Sequence, residues 1–266
     1  QLNDGGAGTD GLPDIDLGGP GDDSGSSGTN LATGNTHNCA IQKNQTIRCW
    51  GSNYFGQLGS QQYGYGEYST PLYDVDLPQG IVPISVTAGQ DYSCAILSSS
   101  TNDAYCWGQG SEGKLGTGDN SDSSAPEDKV ILPGGAYPID ISSGNQHSCL
   151  VSQDGDVYCW GSNQQGQLGN GTQGGYTSTP GIVGGVNVDY ESVAVGMEHS
   201  CALTTQGELY CWGANLYGQL GDGTWDNSVS PVQVSSSETW KSVVSSGSAR
   251  HTCAISISDE LHCWGH

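Results

Sequence analysis

The chain has 266 residues, 28 of them acidic and six basic, for a formal charge of −22. Nucleic acids and anionic membranes are bound by neutralising phosphates with Lys and Arg. Lys43, Arg48, Lys114, Lys129, Lys241 and Arg250 are too few and too scattered for either partner, and no apolar run approaches the length of a membrane span.

Residues 1–30 carry six Asp, nine Gly and no Lys, Arg, Cys or aromatic residue. Such a composition cannot bury a core and reads as linker: an acidic, Gly-rich tail over 1–11 and a flexible linker over 19–30. Asp4, Asp10, Asp14, Asp16, Asp22 and Asp23 offer carboxylates to calcium, but neither EF-hand nor nonapeptide spacing is present, so no metal site is assigned. One piece differs. Residues 12–18, "LPDIDLG", alternate apolar and acidic positions and resemble "YDVDLPQG" at 73–80. Pro13, Ile15 and Leu17 therefore read as a closing strand, Ile15 and Leu17 facing inward. The start at Gln1 without a leader is expected of a mature secreted form.

From residue 31 onward one unit recurs. Trp50, Trp107, Trp160, Trp212 and Trp264 are separated by 57, 53, 52 and 52 residues. A period near fifty fits the blade of a β-propeller. The fourth copy, "HSCALTTQGELYCWG" (199–213), alternates with period two on both sides of Gln206-Gly207 and reads as an antiparallel hairpin. Folding it places Cys201 opposite Cys211, at about the separation a disulfide needs. The same register pairs Cys39 with Cys49, Cys94 with Cys106, Cys149 with Cys159 and Cys253 with Cys263. Five local pairs with none left over indicate an oxidising compartment. A zinc reading of these cysteines with His37, His147, His199 and His251 fails: one hairpin gives three ligands rather than four, and Tyr92 replaces the histidine in a copy that keeps both cysteines.

Two further strand signals flank each hairpin. "ISVTAG" (84–89), "IDISSG" (139–144), "SVAVG" (192–196) and "SVVSSG" (242–247) precede it; "PLYDVDLP" (71–78), "PEDKVILP" (126–133), "PGIV" (180–183) and "PVQV" (231–234) follow it. The expected fold is all-β: a propeller of five four-stranded blades over 31–266, one disulfide per blade, closed by the strand at 12–18.

The motif Gly-x-x-His-Ser-Cys-Ala-Leu, followed by Tyr-x-Trp-Gly-x-Asn-x-x-Gly-Gln-Leu-Gly, resembles the regulator of chromosome condensation repeat family over about residues 31–266. The resemblance implies a β-propeller, usually seven-bladed, where this chain shows five units. The family's namesake is a nucleotide exchange factor on chromatin; other members are non-enzymatic binding platforms, including a secreted bacterial inhibitor of β-lactamase. The paired cysteines look like the secreted bacterial branch.

No catalytic constellation emerges. His199 and Ser200 are neighbours on a strand and point to opposite faces, and the "GQLG" glycines precede no helix. Function is expected where the repeats differ, in the loops after each "GQLG": 60–70, 117–125, 170–179 and 222–230. There Tyr63, Tyr65, Tyr68, Tyr176 and Trp225 sit among Gly, Ser, Asn and Gln, the chemistry of a binding paratope. The five repeated tryptophans read as core. The expected function is a non-catalytic extracellular module, secreted or at the cell surface, binding a protein or glycan without a cofactor. The alternative is a structural subunit of an extracellular assembly, self-associating by exchange of the 12–18 strand. Asn44 and Asn170 open Asn-x-Thr sequons, glycosylation acceptors in a secreted protein.

Overall fold

The structure, a computed structural model, describes residues 31–98 and 102–266. It is an all-β, five-bladed propeller with one disulfide in each blade. Blade one holds β1 (Leu31–Thr33), β2 (His37–Ile41), β3 (Ile47–Ser52) and β4 (Glu67–Tyr68); blade two, β5 (Val82–Ala88), β6 (Tyr92–Ser98) and β7 (Asp103–Gly108). Blade three holds β8 (Pro138–Ser143), β9 (His147–Ser152), β10 (Val157–Ser162) and β11 (Tyr176–Ile182); blade four, β12 (Tyr190–Val195), β13 (His199–Thr204), β14 (Leu209–Gly213) and β15 (Ser228–Gln233). Blade five holds β16 (Trp240–Val244), β17 (His251–Ser256) and β18 (Leu261–Gly265).

Each central hairpin has the register that alternation dictates. Cys201 lies opposite Cys211 and Leu203 opposite Leu209, and the other four cysteine pairs face one another in the same way. All five bridges are formed and no described cysteine is free. In the chain-entropy picture each such short loop contributes about 2–3 kcal/mol.

The expectation of a fourth strand needs correction in blade two; the fourth strand expected in blade five, at residues 12–18, lies outside the described residues. Blades one, three and four have four-stranded sheets, whereas among the described residues blades two and five have three. In blade two the outer segment is bridged to β7 only at isolated positions, Tyr105–Lys129 and Gly108–Ser123, beside a Lys129–Asp103 ion pair (2.8 Å). In blade one the outer strand is at Glu67–Tyr68, and "PLYDVDLP" joins β3 only through an Arg48–Asp74 bridge. The physical reason is local. Prolines at 71, 78, 126 and 133 cannot donate to a ladder. The chain also bends tightly where Leu77 N–H donates to the Val75 carbonyl (2.8 Å) and Leu132 N–H to that of Val130 (3.0 Å). The strand expected at Pro13, Ile15 and Leu17, and the aspartates weighed for calcium, lie outside the described residues.

One clamp recurs between blades. His37 Nε2 lies 2.8 Å from Ser93 Oγ, Ser93 Oγ donates to the Gln57 carbonyl (3.0 Å), and Trp107 Nε1 donates to that same carbonyl (3.0 Å). Because the serine proton is committed to the carbonyl, its lone pair receives the histidine N–H. His147, Ser200, Gln167 and Trp212 repeat the arrangement, as do His199, Thr252, Gln219 and Trp264. Between blades two and three Tyr92 takes the histidine's place, its hydroxyl donating to the His147 carbonyl (2.7 Å) and lying 2.8 Å from Ser148 Oγ. Burial lowers the pKa of these histidines to about 4 for His37 and His199 and about 3 for His147, which keeps them neutral.

Two glycines of the repeat serve this clamp. A Cβ at Gly196 would lie 2.2 Å from the His199 ring, and one at Gly34 2.9 Å from the His37 ring. The last glycine of "GQLG" has positive φ, and a Cβ at Gly59 would meet Trp107 Nε1 at 2.5 Å.

The first strand of each blade lines a central channel of about 430 Å³ whose wall includes Thr33, Thr87, Ser142, Ser192 and Ser242. Exposed strand edges invite unwanted pairing, and here side chains of the preceding blade cap the N–H groups. Asp140 accepts from Val193 N–H (2.8 Å), Ser142 from Val195 N–H (3.0 Å) and Thr87 from Ser143 N–H (3.1 Å). Burial pushes the Asp140 carboxyl up, against the hydrogen bonds it accepts.

Candidate functional site

Clamps, disulfides and inner edges use the repeated residues. The unrepeated ones collect on the face that carries the "GQLG" loops. The turn between Asn53 and Gln57 projects Tyr54, 56 % exposed, beside the half-buried Phe55. It is rigid because Asn53 Oδ1 accepts from Leu58 N–H (3.0 Å) and Gln57 Oε1 from Phe55 N–H (2.9 Å). A cleft of about 690 Å³ opens on one side, lined by Thr36, Tyr54, Phe55, Glu67, Tyr68 and Asp91 among others. A second, of about 430 Å³, opens on the other side between Tyr54, Phe55, Gln61, Tyr65 and Asp122. The two aromatic rings form the ridge between the clefts.

The electrostatics of this ridge are one-sided. Glu67, Asp91 and Asp122 border it, and among the described residues no lysine or arginine lines either cleft. Asp91 is positioned by Thr36 Oγ1 (3.1 Å), and Asp122 accepts from Gly110 N–H (2.8 Å). The nearby Lys114 does not offset them at the surface. It is fully buried, donates to Gln109 Oε1 (2.6 Å), and lies 5.7 Å from the Tyr92 ring centroid. Burial lowers its pKa, opposed by the charges of Asp91, Glu112 and Asp122.

The five aromatic residues expected to bind do not form one site. Tyr65 is 86 % exposed at the second cleft, and Tyr68 lines the first. Tyr63 also lines the second cleft, but its side chain is engaged in holding the loop. It is 7 % exposed, its hydroxyl accepts from Leu72 and Tyr73 N–H (2.8 and 3.1 Å) and donates to the Cys49 carbonyl (3.3 Å), and Tyr68 and Tyr73 pack edge-on against its ring. Tyr176 and Trp225, half or more exposed, line neither cleft. The Tyr176 hydroxyl accepts from Asn120 Nδ2 (3.0 Å). Trp225 lies over Gly218, next to Leu216 (71 % exposed) and Tyr217, whose hydroxyl accepts from Arg250 (3.2 Å). This second patch pairs aromatic surface with a cation, where the first pairs it with carboxylates.

Tyr54, Phe55 and Asp91 are absent from the sequence-derived set. The signal was there: the two residues between Asn and Gly in "NYFGQLG" read Tyr-Phe, Ser-Glu, Gln-Gln and Leu-Tyr in successive copies. Among the described residues no group of three or more His, Cys, Asp or Glu is placed to hold a metal ion.

Comparison with known proteins supplies the family. The RCC1-like domain model matches residues 5–266. The chain belongs to the RCC1-like domain family. It is 33 % identical over 235 residues to the ultraviolet-B receptor UVR8 of Arabidopsis thaliana, covering 88 % of this chain and 52 % of that protein. It is 29 % identical to the probable E3 ubiquitin-protein ligase HERC6 of Homo sapiens, covering 88 % of this chain and 23 % of that one. The chain thus spans about half of UVR8 and less of HERC6. Among solved structures, human WBSCR16 superposes with a TM-score of 0.78 at 22 % identity, over 89 % of this chain and 62 % of that one. Prp20p of Saccharomyces cerevisiae gives 0.74 at 22 %, over 88 % and 57 %; at such identities the likeness is one of fold. RCC1-like propellers commonly serve as protein-binding modules. No helix among the described residues is long and apolar enough to cross a membrane.

Proposed function

We propose that this RCC1-like propeller is a non-catalytic extracellular recognition module. Its loop face at blade one captures a protein through Tyr54, Phe55 and Tyr65, with Glu67, Asp91 and Asp122 receiving lysine or arginine side chains of the partner. The observation that carries the reading is the aromatic ridge between two clefts with only carboxylates as charged lining. A cation brought over a tyrosine face gains about 0.5–2 kcal/mol, more as water is excluded, and neighbouring carboxylates steer it there. Rigid aromatic rings on a braced turn lose little entropy on binding. Five disulfides support an oxidising, extracellular setting.

Cross-linking in the secreted fraction of the source cells tests the reading. The expected result is one protein partner captured by the wild type, weakened by added salt and lost with Tyr54→Ala/Tyr65→Ala. Capture that survives this double substitution, or binding to a glycan array instead, overturns it.

A further inference from the structure

Asn44 and Asn170 open Asn-x-Thr sequons, and the recognition ridge uses neither. The structure separates asparagines by what their amides do. Asn53, Asn163 and Asn215, at the start of the turn in blades one, three and four, are buried and bonded at both ends. Their Oδ1 atoms accept from Leu58, Leu168 and Leu220 N–H (3.0, 3.1 and 3.0 Å). Their Nδ2 atoms donate to the Gly64, Thr172 and Thr224 carbonyls (3.0, 3.0 and 3.1 Å). Asn170 differs. It is exposed, and its Oδ1 accepts from Thr172 N–H (3.1 Å) and from Thr172 Oγ1 (2.6 Å), while its Nδ2 has no hydrogen-bond partner among the described residues.

Blade four shows that the fold needs only the oxygen. The corresponding triplet there is Asp222-Gly223-Thr224, and Asp222 Oδ1 accepts from Thr224 N–H (3.0 Å) and from Thr224 Oγ1 (2.9 Å), as Asn170 does from Thr172. In both blades the threonine hydroxyl also accepts from the buried asparagine, Asn163 (3.1 Å) or Asn215 (3.2 Å). A carboxylate and an amide therefore serve this turn alike, and the Asn170 nitrogen is left over. The space around it is open. Residues 170–176 are all exposed, and a Cβ at Gly171, Gly174 or Gly175 would meet nothing within 4 Å. Asn44 accepts from Thr46 Oγ1 in the same way (2.9 Å), but it sits in the tight β2–β3 turn, where Thr46 is half-buried.

We propose that Asn170 carries an N-linked glycan, an assignment that rests on the extracellular setting proposed above. The donor is an oligosaccharide held on a lipid pyrophosphate in the secretory pathway. Asn170 Nδ2 attacks the anomeric carbon of that sugar; the C–N bond forms as the C–O bond to the pyrophosphate breaks, and the amide gives up one proton. The lipid pyrophosphate leaves. Thr172 supplies the hydroxyl that the sequon requires. The glycan, bulky and solubilising, then stands in blade three on the loop that carries Tyr176. The ridge of Tyr54 and Phe55, two blades away in the chain, stays open to a partner.

Peptide-N-glycosidase digestion in heavy-oxygen water, followed by peptide mass spectrometry, tests this on the protein from its source cells. The enzyme hydrolyses the glycosylated amide to an aspartate that keeps one heavy oxygen. The expected result is that label at position 170, and the same peptide carrying a glycan before digestion. Asn170→Asp keeps the acceptor that Asp222 supplies in blade four, so it is expected to fold, to be secreted, and to migrate as a chain smaller by one glycan. Thr172→Ser keeps the sequon and is expected to keep the glycan. The label in the wild type decides the matter even if a variant fails to fold. A secreted, disulfide-bonded chain with unmodified Asn170, or with label at Asn44 and none at Asn170, overturns the site alone. A chain kept inside the cell with free thiols overturns the site and the extracellular reading together.

Discussion

The junctions between blades and the loop face at blade one draw on the same residue types to opposite ends. At the junctions, histidine, serine and tryptophan recur at fixed positions and histidine Nε2, hydroxyl and indole N–H are paired across the gap: His147 to Ser200, Ser200 and Trp212 to the Gln167 carbonyl. On the loop face, aromatic rings and carboxylates stand at positions that change from blade to blade, and Tyr54 and Tyr65 keep more than half of their surface in water. A side chain locked at every junction stabilises the ring. A braced but exposed side chain is left free for a partner. Repetition in this chain therefore marks stability, and its interruption marks the surface available for recognition.

The sharpest way to break that comparison is to remove a junction ring. Trp160 is fully buried and donates to the Lys114 carbonyl at 2.9 Å. Trp160→Ala is expected to destabilise by about 3–5 kcal/mol, the range for large-to-small substitutions at buried aromatics. Urea titration reads this directly, and a loss within experimental scatter would show that the junctions are not what holds the ring.

Acid is expected to act next, through the junction histidines. His37, His147 and His199 have folded pKa values of about 4, 3 and 4, below the unfolded value near 6.5. The unfolded chain therefore binds more protons once pH falls below 6.5. Their contribution is complete above that pH and is lost as pH drops toward 4, at about 1.4 kcal/mol per histidine per pH unit. Asp140, whose carboxyl is pushed up by burial, contributes with the opposite sign and cannot cause the loss. Unfolding midpoints between pH 7 and pH 4 should fall steeply for the wild type and less steeply for His147→Gln/His199→Gln. Parallel curves would contradict the neutral-histidine clamp.

How much of this was legible in the sequence follows the range of each interaction. Hairpin register and disulfides are local and alternate with period two, so Cys201 and Cys211 announce themselves across a ten-residue separation. The clamp is not local: His147 and Ser200 are 53 residues apart, and the sequence marks His147 only as a repeated position. Apolar alternation predicts regular outer strands at 71–78 and 126–133 that do not form, because the bends at Val75–Leu77 and Val130–Leu132 leave no trace in hydrophobicity. Tyr63 misleads because a tyrosine among Gln, Gly and Ser looks exposed, whereas its loop folds back and uses the hydroxyl to cap Leu72 and Tyr73. Tyr54 escapes for the reverse reason, since it sits inside the repeated motif rather than in the variable loop after it.

The smallest expected effect tests the central claim most directly, that the loop-face aromatics are spare for binding. The measurement is the thermal midpoint of Tyr54→Ala/Tyr65→Ala beside Tyr63→Phe. The double variant touches exposed rings only and should change stability by no more than about 0.5 kcal/mol, as surface substitutions do, leaving its midpoint near that of the wild type. Tyr63→Phe strips the acceptor from two N–H groups and should cost about 1–3 kcal/mol, lowering the midpoint visibly. A double variant that melts as early as Tyr63→Phe would show that Tyr54 and Tyr65 hold the blade together, and the division between repeated structure and unrepeated recognition would be contradicted.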